Sequence, residues 1–366
     1  MPLYAFGSNG SGQLGLGHKE DVSRPTRCLF KPDSPLPNEV AQSSDQEDLV
    51  QLAAGGNHTL ALFKSGAVYA AGSNGNGRCG YPAEAVEELL EFGRVAFYDG
   101  GRRVDQFAAV AATWESSCFV EAGTGYVYVV GVGLNGELGL GENVTEARSP
   151  TRMPNFPPGG REIICIAGAL AHTVVVLSSG EVFGWGKGRK GQLGEAGRNK
   201  MLWSPQKIEA PFTAVKVACG KEFTILVGNV EDGELAVLGT DRWGQRSKAP
   251  ANLKGYKTVG ASWHGIYSHG SNGSLTAWGR SDRGQMPPAD FPRITSMGIG
   301  SEHVVAAVDC KRIIAFGWGE HGNCGPETDE QGNVNGKYVE IPFEGGVTPI
   351  ITAVGAGCAT SFVIAR

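Results

Sequence analysis

Short apolar runs alternate with glycine-rich polar stretches along the chain, in two distinct patterns. The first pattern is an apolar run that leads into a glycine-rich loop, as in LYAFGSNGSGQLGLG from Leu3 and VYAAGSNGNGRCG from Val68. The second pattern is typified by LAAGGNHTLAL at 52–62, which ends in threonine and aliphatic residues. Runs of this length, rich in β-branched and aromatic residues and bounded by glycine, are typical of β-strands.

Each pattern occurs seven times, and the two interleave. Copies of the first pattern begin at Leu3, Val68, Val127, Val182, Leu235, Leu275 and Ile313. Copies of the second pattern lie at 52–62, 110–120, 165–176, 217–227, 259–269, 298–308 and 354–364. Tight turns such as Lys64-Ser-Gly66 join the patterns, and glycine supplies the positive φ that these turns need. Each joined pair therefore predicts a β-hairpin.

The repetition predicts an all-β fold, a single seven-bladed β-propeller over 1–366. A blade of four short strands cannot bury both of its faces alone, whereas blades stacked in a ring bury them and leave only short edges. We number the blades by the glycine that ends each first-pattern run: Gly7, Gly72, Gly131, Gly186, Gly239, Gly279 and Gly317. The last two spacings are only 40 and 38 residues, so blades 5 and 6 are expected to be shortened.

The two ends of the chain carry different patterns. The chain begins with the first pattern and ends with the second, so one blade must combine strands from both termini. Such a clasp closes the ring, which would otherwise leave two sheet edges open. Two inserts interrupt the repeats: 82–107, in which 83–92 is predicted to form a short acidic helix, and 326–347, predicted to be a solvated loop.

Composition argues against several classes of protein. Glycine contributes 56 of 366 residues, but 41% of the chain is hydrophobic, which favours a fold with many tight turns over disorder. The net charge is −5 and no run of five basic residues occurs, so direct binding of nucleic acid is not expected. No apolar stretch approaches ~18 residues, so no membrane span is expected. The eight cysteines form no Cys-x-x-Cys pair and are expected to be free thiols.

Candidate chemistry is sparse. Gly131 and Gly186 each start a G-x-G-x-x-G pattern, but both are copies of the repeat, and no helix pattern follows as a dinucleotide site requires. His58, His172 and His303 are expected to hydrogen-bond loop backbone. The sequence has no clustered Cys and His ligand set and no G-x-S-x-G elbow. We therefore expect no enzyme activity, no cofactor and no metal bound by this chain.

The alternation of φ-x-φ-G-x-N-x-x-G-Q-L-G, where φ is apolar, with A-G-x-x-H-T resembles the regulator-of-chromosome-condensation repeat family over nearly the whole chain. Within that family, three segments resemble the fungal alpha-tubulin-suppressor, or killer-toxin-insensitivity, group: AFGSNGSGQLGLGH after Tyr4, WGEHGNCGP after Gly317 and CATSFVI after Gly357. The resemblance implies a heterodimer with the small Cys-rich, CSL-type zinc or iron protein of diphthamide synthesis. It also implies a role in Elongator-dependent tRNA wobble-uridine modification and a cytoplasmic and nuclear location.

The resemblance also suggests a binding face. In the exchange-factor relatives, the A-G-x-x-H loops form the face that grips the GTPase. The same positions of this chain carry Asn57, Trp114, Glu115, Lys221, Glu222, Trp263, His264, Glu302 and His303. Two tryptophans replace the small or polar residues usual in the repeat, and tryptophan is enriched in binding hot spots. The alternative is that Trp114 and Trp263 fold back into the packing of the blades.

Two functions of different classes remain open. The favoured one is a non-enzymatic scaffold that docks the small metal-carrying partner. The other is a guanine-nucleotide exchange factor for a Ras-like GTPase, which in this family uses an acidic loop face and a β-wedge hairpin. The loops carry only three candidate acids, Glu115, Glu222 and Glu302, and no separate wedge insert is evident in blade 3. A chromatin-docking module is disfavoured by the net negative charge.

Overall fold

The computed structural model of this chain describes residues 2–32, 48–343 and 348–366. Seven antiparallel sheets follow one another around a central channel, which confirms the predicted all-β seven-bladed propeller. Helix is confined, in the described ranges, to one α-helical turn at Gly194–Gly197 and a 3-10 turn at Pro158–Gly160. No helix in these ranges is long and apolar enough to cross a membrane.

The strands are given blade by blade, from the channel outwards. Blade 1 contains Ile351–Ala356, Thr360–Ala365, Leu3–Gly7 and Val22–Arg27. Blade 2 contains Leu49–Ala54, His58–Phe63, Val68–Ser73 and Glu88–Arg94, and blade 3 contains Phe107–Ala112, Ser116–Glu121, Val127–Val132 and Glu146–Arg152. Blade 4 contains Ile163–Ala169, His172–Leu177, Val182–Lys187 and Met201–Ile208. Blade 5 contains Lys216–Cys219, Phe223–Val227 and Leu235–Gly239, and blade 6 contains Tyr256–Ala261, Gly265–Gly270 and Leu275–Gly279. Blade 7 contains Ser296–Ile299, His303–Ala307, Ile313–Trp318 and Asn333–Glu340.

The ring closes as the sequence predicts. In blade 1 the first strand of the chain pairs antiparallel with the last, from Leu3 opposite Ile364 to Gly7 opposite Thr360. Blades 5 and 6 have three strands each, because the chain after Gly239 and after Gly279 is too short to add a fourth. Both expectations are confirmed.

Both predictions about the inserts need correction. The predicted helix at 83–92 is absent, and Glu88–Arg94 is instead the outer strand of blade 2, with Leu89 and Phe92 buried. Backbone pairing with Val68–Ser73 therefore prevails over the helix propensity of a short acidic run. In the second insert, Asn333–Glu340 is the outer strand of blade 7, and 344–347 lie outside the described residues.

One glycine position recurs at the end of the third strand of every blade. Gly72 has φ of 110°, and a Cβ placed there would lie 2.3 Å from the carbonyl oxygen of Asn57. The equivalent glycines of all seven blades have φ between 100° and 127° and approach a carbonyl of the same loop in the same way. The next residue then donates its N–H to that carbonyl, as Ser73 does to Asn57 at 2.8 Å. This contact holds two loops of each blade together.

Three buried histidines join neighbouring blades. His58 Nε2 lies 2.8 Å from Ser117 Oγ, whose hydroxyl donates to the carbonyl of Arg78, so the imidazole must be the donor to Ser117. His172 is bonded in the same way to Thr224, and His303 to Ser361. The predicted bonds to loop backbone are thus replaced by bonds to hydroxyl side chains of the next blade.

Burial keeps these imidazoles neutral. It lowers the pKa of His172 and of His303 to about 4, and together with the charge of Arg78 it lowers the pKa of His58 to about 3. The Nδ1 atom of each ring has no hydrogen-bond partner among the described residues, so a second ring proton would be buried without an acceptor.

We expect Gly72→Ala to lower the free energy of unfolding by about 2 kcal/mol or more, because a side chain at this φ is strained and its Cβ meets a backbone oxygen. Gly75→Ala is the matched control, since nothing lies within 4 Å of a Cβ at Gly75 and its φ is ordinary. Urea unfolding of both variants measures the difference. Equal stabilities would show that the close contact at Gly72 is not a constraint.

We expect acid to destabilise the propeller between about pH 6.5 and 4. Below the ordinary histidine pKa of about 6.5, the unfolded chain takes up protons that the folded chain excludes, so each buried histidine costs up to about 1.4 kcal/mol per pH unit. Replacing His303 by Asn removes one of these titrating groups. Urea unfolding at several pH values should show a shallower acid loss for H303N than for the unmodified chain, and parallel curves would contradict the buried neutral state of His303.

Candidate protein-binding face

Two sets of loops share one face of the propeller, called here the upper face. The inner loops join the first and second strands of the blades and lie at 55–57, 113–115, 170–171, 220–222, 262–264, 300–302 and 357–359. The outer loops follow the third strands and lie at 8–21, 74–87, 133–145, 188–200, 240–250, 280–287 and 319–332. Antiparallel pairing places both sets at the same end of each sheet, and the glycine contact described above links them.

Backbone hydrogen bonds also join inner loops of adjacent blades. Gly56 N–H donates to the Trp114 carbonyl at 2.9 Å, and Trp114 N–H donates to Leu170 at 3.1 Å. On the other side of the channel, Trp263 accepts from Lys221 at 3.0 Å and donates to Ser301 at 2.8 Å. Main-chain bonds therefore anchor these inner loops without using the rings of Trp114 and Trp263, which are left free for other contacts.

The two tryptophans meet across the mouth of the channel. Their ring centroids lie 5.8 Å apart and the rings are tilted by 51°. The Trp114 ring also covers Gly56 of the preceding blade, where a Cβ would come within 2.7 Å of it. Trp114 is nevertheless 38% exposed and Trp263 is half-buried. The rings thus pack on each other instead of within a blade, and they still present surface to solvent.

The channel below this pair is a cavity of about 240 Å³ lined by the innermost strands. Its walls are mostly small residues such as Ala54, Ala112 and Gly168, together with Cys219 and Cys358. Burial raises the pKa of the Cys219 thiol to about 12, so the thiol stays protonated at neutral pH and is a poor nucleophile. In the described parts of the chain, no three His, Cys, Asp or Glu residues are grouped so that they could hold a metal ion.

An apolar groove of about 250 Å³ lies beside the tryptophan pair, between blades 3 and 4. Trp114, Leu134 and Leu170 line it, and Glu115 and Lys187 flank them. Leu134 is 66% exposed, whereas Leu138 of the same outer loop is fully buried. Leu134 is not among the site residues predicted from the sequence. The equivalent position of every other blade carries glycine or a charged residue, so the lone leucine was the available signal.

The other predicted site residues are buried to different extents. Asn57 is exposed, and Lys221, Glu222 and His264 are half-buried at the rim. Lys221 places its Nζ 5.4 Å from the centre of the Trp263 ring, a cation–π contact. Glu115 lies 3.4 Å from Arg78.

Glu302 and His303 lie below the surface, which corrects the prediction that they contact a partner directly. Glu302 is only 5% exposed and bonds His264 at 2.6 Å and Gln285 at 2.8 Å, and Arg280 lies 3.5 Å away. Burial alone would raise the pKa of Glu302, but these hydrogen bonds and the nearby positive charges outweigh it and lower the pKa. Glu302 therefore positions His264 and Arg280, whereas His303 joins blades 7 and 1.

Comparison with known proteins agrees with this architecture. The RCC1-like domain model matches residues 2–364. An RCC1 repeat-containing protein of Schizosaccharomyces pombe is 28% identical over 379 residues, covering 99% of this chain and 98% of the relative. The secretion-regulating guanine nucleotide exchange factor of Mus musculus is 30% identical over 343 residues, covering 89% of this chain and 65% of the relative.

Solved structures show the same fold. The crystal structure of Prp20p from Saccharomyces cerevisiae superposes with a TM-score of 0.78 at 21% identity, covering 99% of this chain and 90% of the other. Human WBSCR16 superposes with a TM-score of 0.76 at 17% identity, and each chain is covered completely. With the family model matching almost every residue, the chain belongs to the RCC1-like (regulator of chromosome condensation) repeat family.

Proposed function

We propose that this chain is a non-enzymatic scaffold that docks a partner protein on its upper face. The observation that carries the proposal is the tryptophan pair over the channel mouth, with the Trp114–Leu134 groove beside it. Partly exposed aromatic rings next to an apolar groove with a polar rim have the anatomy of an interface core. The rings are held by backbone bonds and by each other, so binding would cost little ordering entropy.

The partner we propose is the small Cys-rich, CSL-type zinc or iron protein of diphthamide synthesis, in a heterodimer that supports Elongator-dependent tRNA modification. The proposal rests on the three segments that resemble the alpha-tubulin-suppressor group. Two of them overlap the outer loops of blades 1 and 7, and the third begins in the inner loop 357–359. The two outer loops touch, with His321 Nδ1 2.9 Å from Asp21 Oδ2. The segments that carry the resemblance therefore lie together on the part of the upper face formed by blades 7 and 1.

Exchange of guanine nucleotide is the second candidate, because the mouse relative is named as an exchange factor. The loop acids give it little support, since Glu302 is buried and Glu115 lies beside Arg78. A hairpin, Phe97–Asp99 with Arg102–Val104, does precede blade 3, contrary to the expectation of no separate insert. Arg102 pairs with Glu121 at the turn between the second and third strands of blade 3, which places the hairpin on the opposite, lower face.

Affinity capture distinguishes the two candidates. The immobilised chain, incubated with cell extract, should retain the small Cys-rich protein, identified by mass spectrometry. Recovery of a Ras-like GTPase in its place would favour exchange.

We expect Trp114→Ala and Trp263→Ala each to weaken binding of the CSL-type protein by about 2 kcal/mol or more, roughly 30-fold, because each removes a central aromatic anchor. Tyr98→Ala is the matched control, an aromatic residue 71% exposed on the lower-face hairpin. Calorimetry measures affinity, and thermal unfolding of the same samples measures stability. If the tryptophan variants melt early but bind normally once folded, the two rings are packing residues and the site lies elsewhere.

We expect no acceleration of labelled-nucleotide release from a Ran-like GTPase, because Glu222 is the one loop acid of the predicted set that is neither buried nor beside Arg78. The assay compares the spontaneous release rate with the rate at catalytic concentrations of this chain, and a known exchange factor serves as the positive control. A substantial acceleration would replace the scaffold proposal by the exchange proposal.

A further inference from the structure

Positive and negative residues occupy different parts of the upper face. The outer loops of blades 4, 5 and 6, called here the basic sector, contain nine lysines and arginines but three carboxylates. The outer loops of blades 7, 1, 2 and 3, the acidic sector, contain ten carboxylates but two lysines and arginines. The cations of the basic sector are Arg189, Lys190, Arg198, Lys200, Arg242, Arg246, Lys248, Arg280 and Arg283. The upper face thus has a positive pole and a negative pole, although the net charge of the chain is −5.

Most cations of the basic sector are not neutralised within the chain. Arg198 pairs with Glu195 and Arg280 with Asp282. Arg189, Lys190 and Lys248 are exposed, and none of them forms an ion pair with a described carboxylate. The carboxylate of Asp241 is engaged by the backbone N–H groups of residues 246 and 247. Adjacent exposed cations such as Arg189 and Lys190 repel one another in the free protein, so an oppositely charged surface would stabilise them.

Aromatic rings lie among these cations. Trp243 is flanked by two guanidinium groups, with Arg242 5.4 Å and Arg280 5.1 Å from its ring centre. Lys221 makes the equivalent contact with Trp263 at the channel mouth. In the acidic sector, Glu20, Glu142 and Glu320 are exposed. The Trp114–Leu134 groove lies at one boundary between the sectors, where blade 3 meets blade 4.

Two kinds of partner have the charge to bind the basic sector. A nucleic acid is a uniform polyanion and binds basic and aromatic surfaces, but along the face it would meet the carboxylates of the acidic sector. A compact protein with an acidic patch and a basic patch on one side matches both poles. The opposed sectors therefore favour a protein partner.

We propose that the upper face recognises a partner protein of complementary polarity, whose acidic patch lies on the basic sector and whose basic patch lies on the acidic sector. The proposal rests on the proposed docking function and adds to it the orientation of the partner. The apolar groove supplies contact area, while the two poles set the encounter rate and exclude the reversed orientation.

The test reverses charge in the basic sector. Arg189→Glu with Lys190→Glu changes two exposed side chains of the basic sector, and Lys64→Glu with Lys311→Glu makes the same charge change at exposed turns of the lower face. The probe is the purified CSL-type protein, and its association rate is measured with each chain. At about 50 mM salt we expect the first variant to associate roughly tenfold or more slowly and the control within about twofold of the unmodified chain, with the difference largely lost at about 500 mM.

The outcomes separate the two proposals. If both variants bind like the unmodified chain, the polarity inference is overturned while the docking function stands. If the unmodified chain does not bind the probe, both are overturned. A labelled single-stranded RNA is tested in parallel. The inference is overturned if the unmodified chain and the control bind that RNA, the first variant does not, and the first variant still binds the protein normally. The basic sector would then be assigned to nucleic acid.

Discussion

The structure depends on one close backbone contact that is made in every blade. A left-handed glycine at the end of the third strand approaches the carbonyl of the inner loop, and the next residue donates its N–H to that carbonyl. A Cβ at this position would lie within 2.5 Å of the oxygen, so no other residue fits without displacing a loop. Because both loops are fixed by the same contact, the upper face behaves as one layer anchored to all seven sheets.

Contacts between blades use a different set of groups. Imidazole-to-hydroxyl bonds cross three of the blade boundaries, and main-chain bonds connect several inner loops near the channel. Neither set requires the outward-pointing side chains of the loops. The residues that hold the ring together are therefore largely separate from those that face solvent. A loop side chain such as Leu134 can thus differ from its counterparts in the other blades while the ring stays intact.

The sequence predicts the blade count, the shortened blades 5 and 6 and the ring closure, because each follows from glycine spacing and turn chemistry. It does not predict the strand Glu88–Arg94, since an acidic run with leucines suits a helix until the edge of blade 2 is present to pair with it. Nor does it predict that Trp114 and Trp263 touch, because this depends on the width of the channel. The sequence also does not predict that His303 is buried, because the repeat pattern gives the position of a residue along the chain and not its depth below the surface.

The separation of framework from surface also bears on function. Equivalent loop positions of the repeat carry glycine, tryptophan, leucine, lysine, serine and cysteine, as at residues 56, 114, 170, 221, 301 and 358. Main-chain hydrogen bonds join most of these positions to the inner loop of the next blade, so differences in binding must arise from the side chains that differ between blades. Their effect is collective, since the tryptophans come from blades 3 and 6 and the two charged sectors from opposite arcs of the ring. A partner must therefore span the channel mouth to contact both tryptophans and both charged sectors.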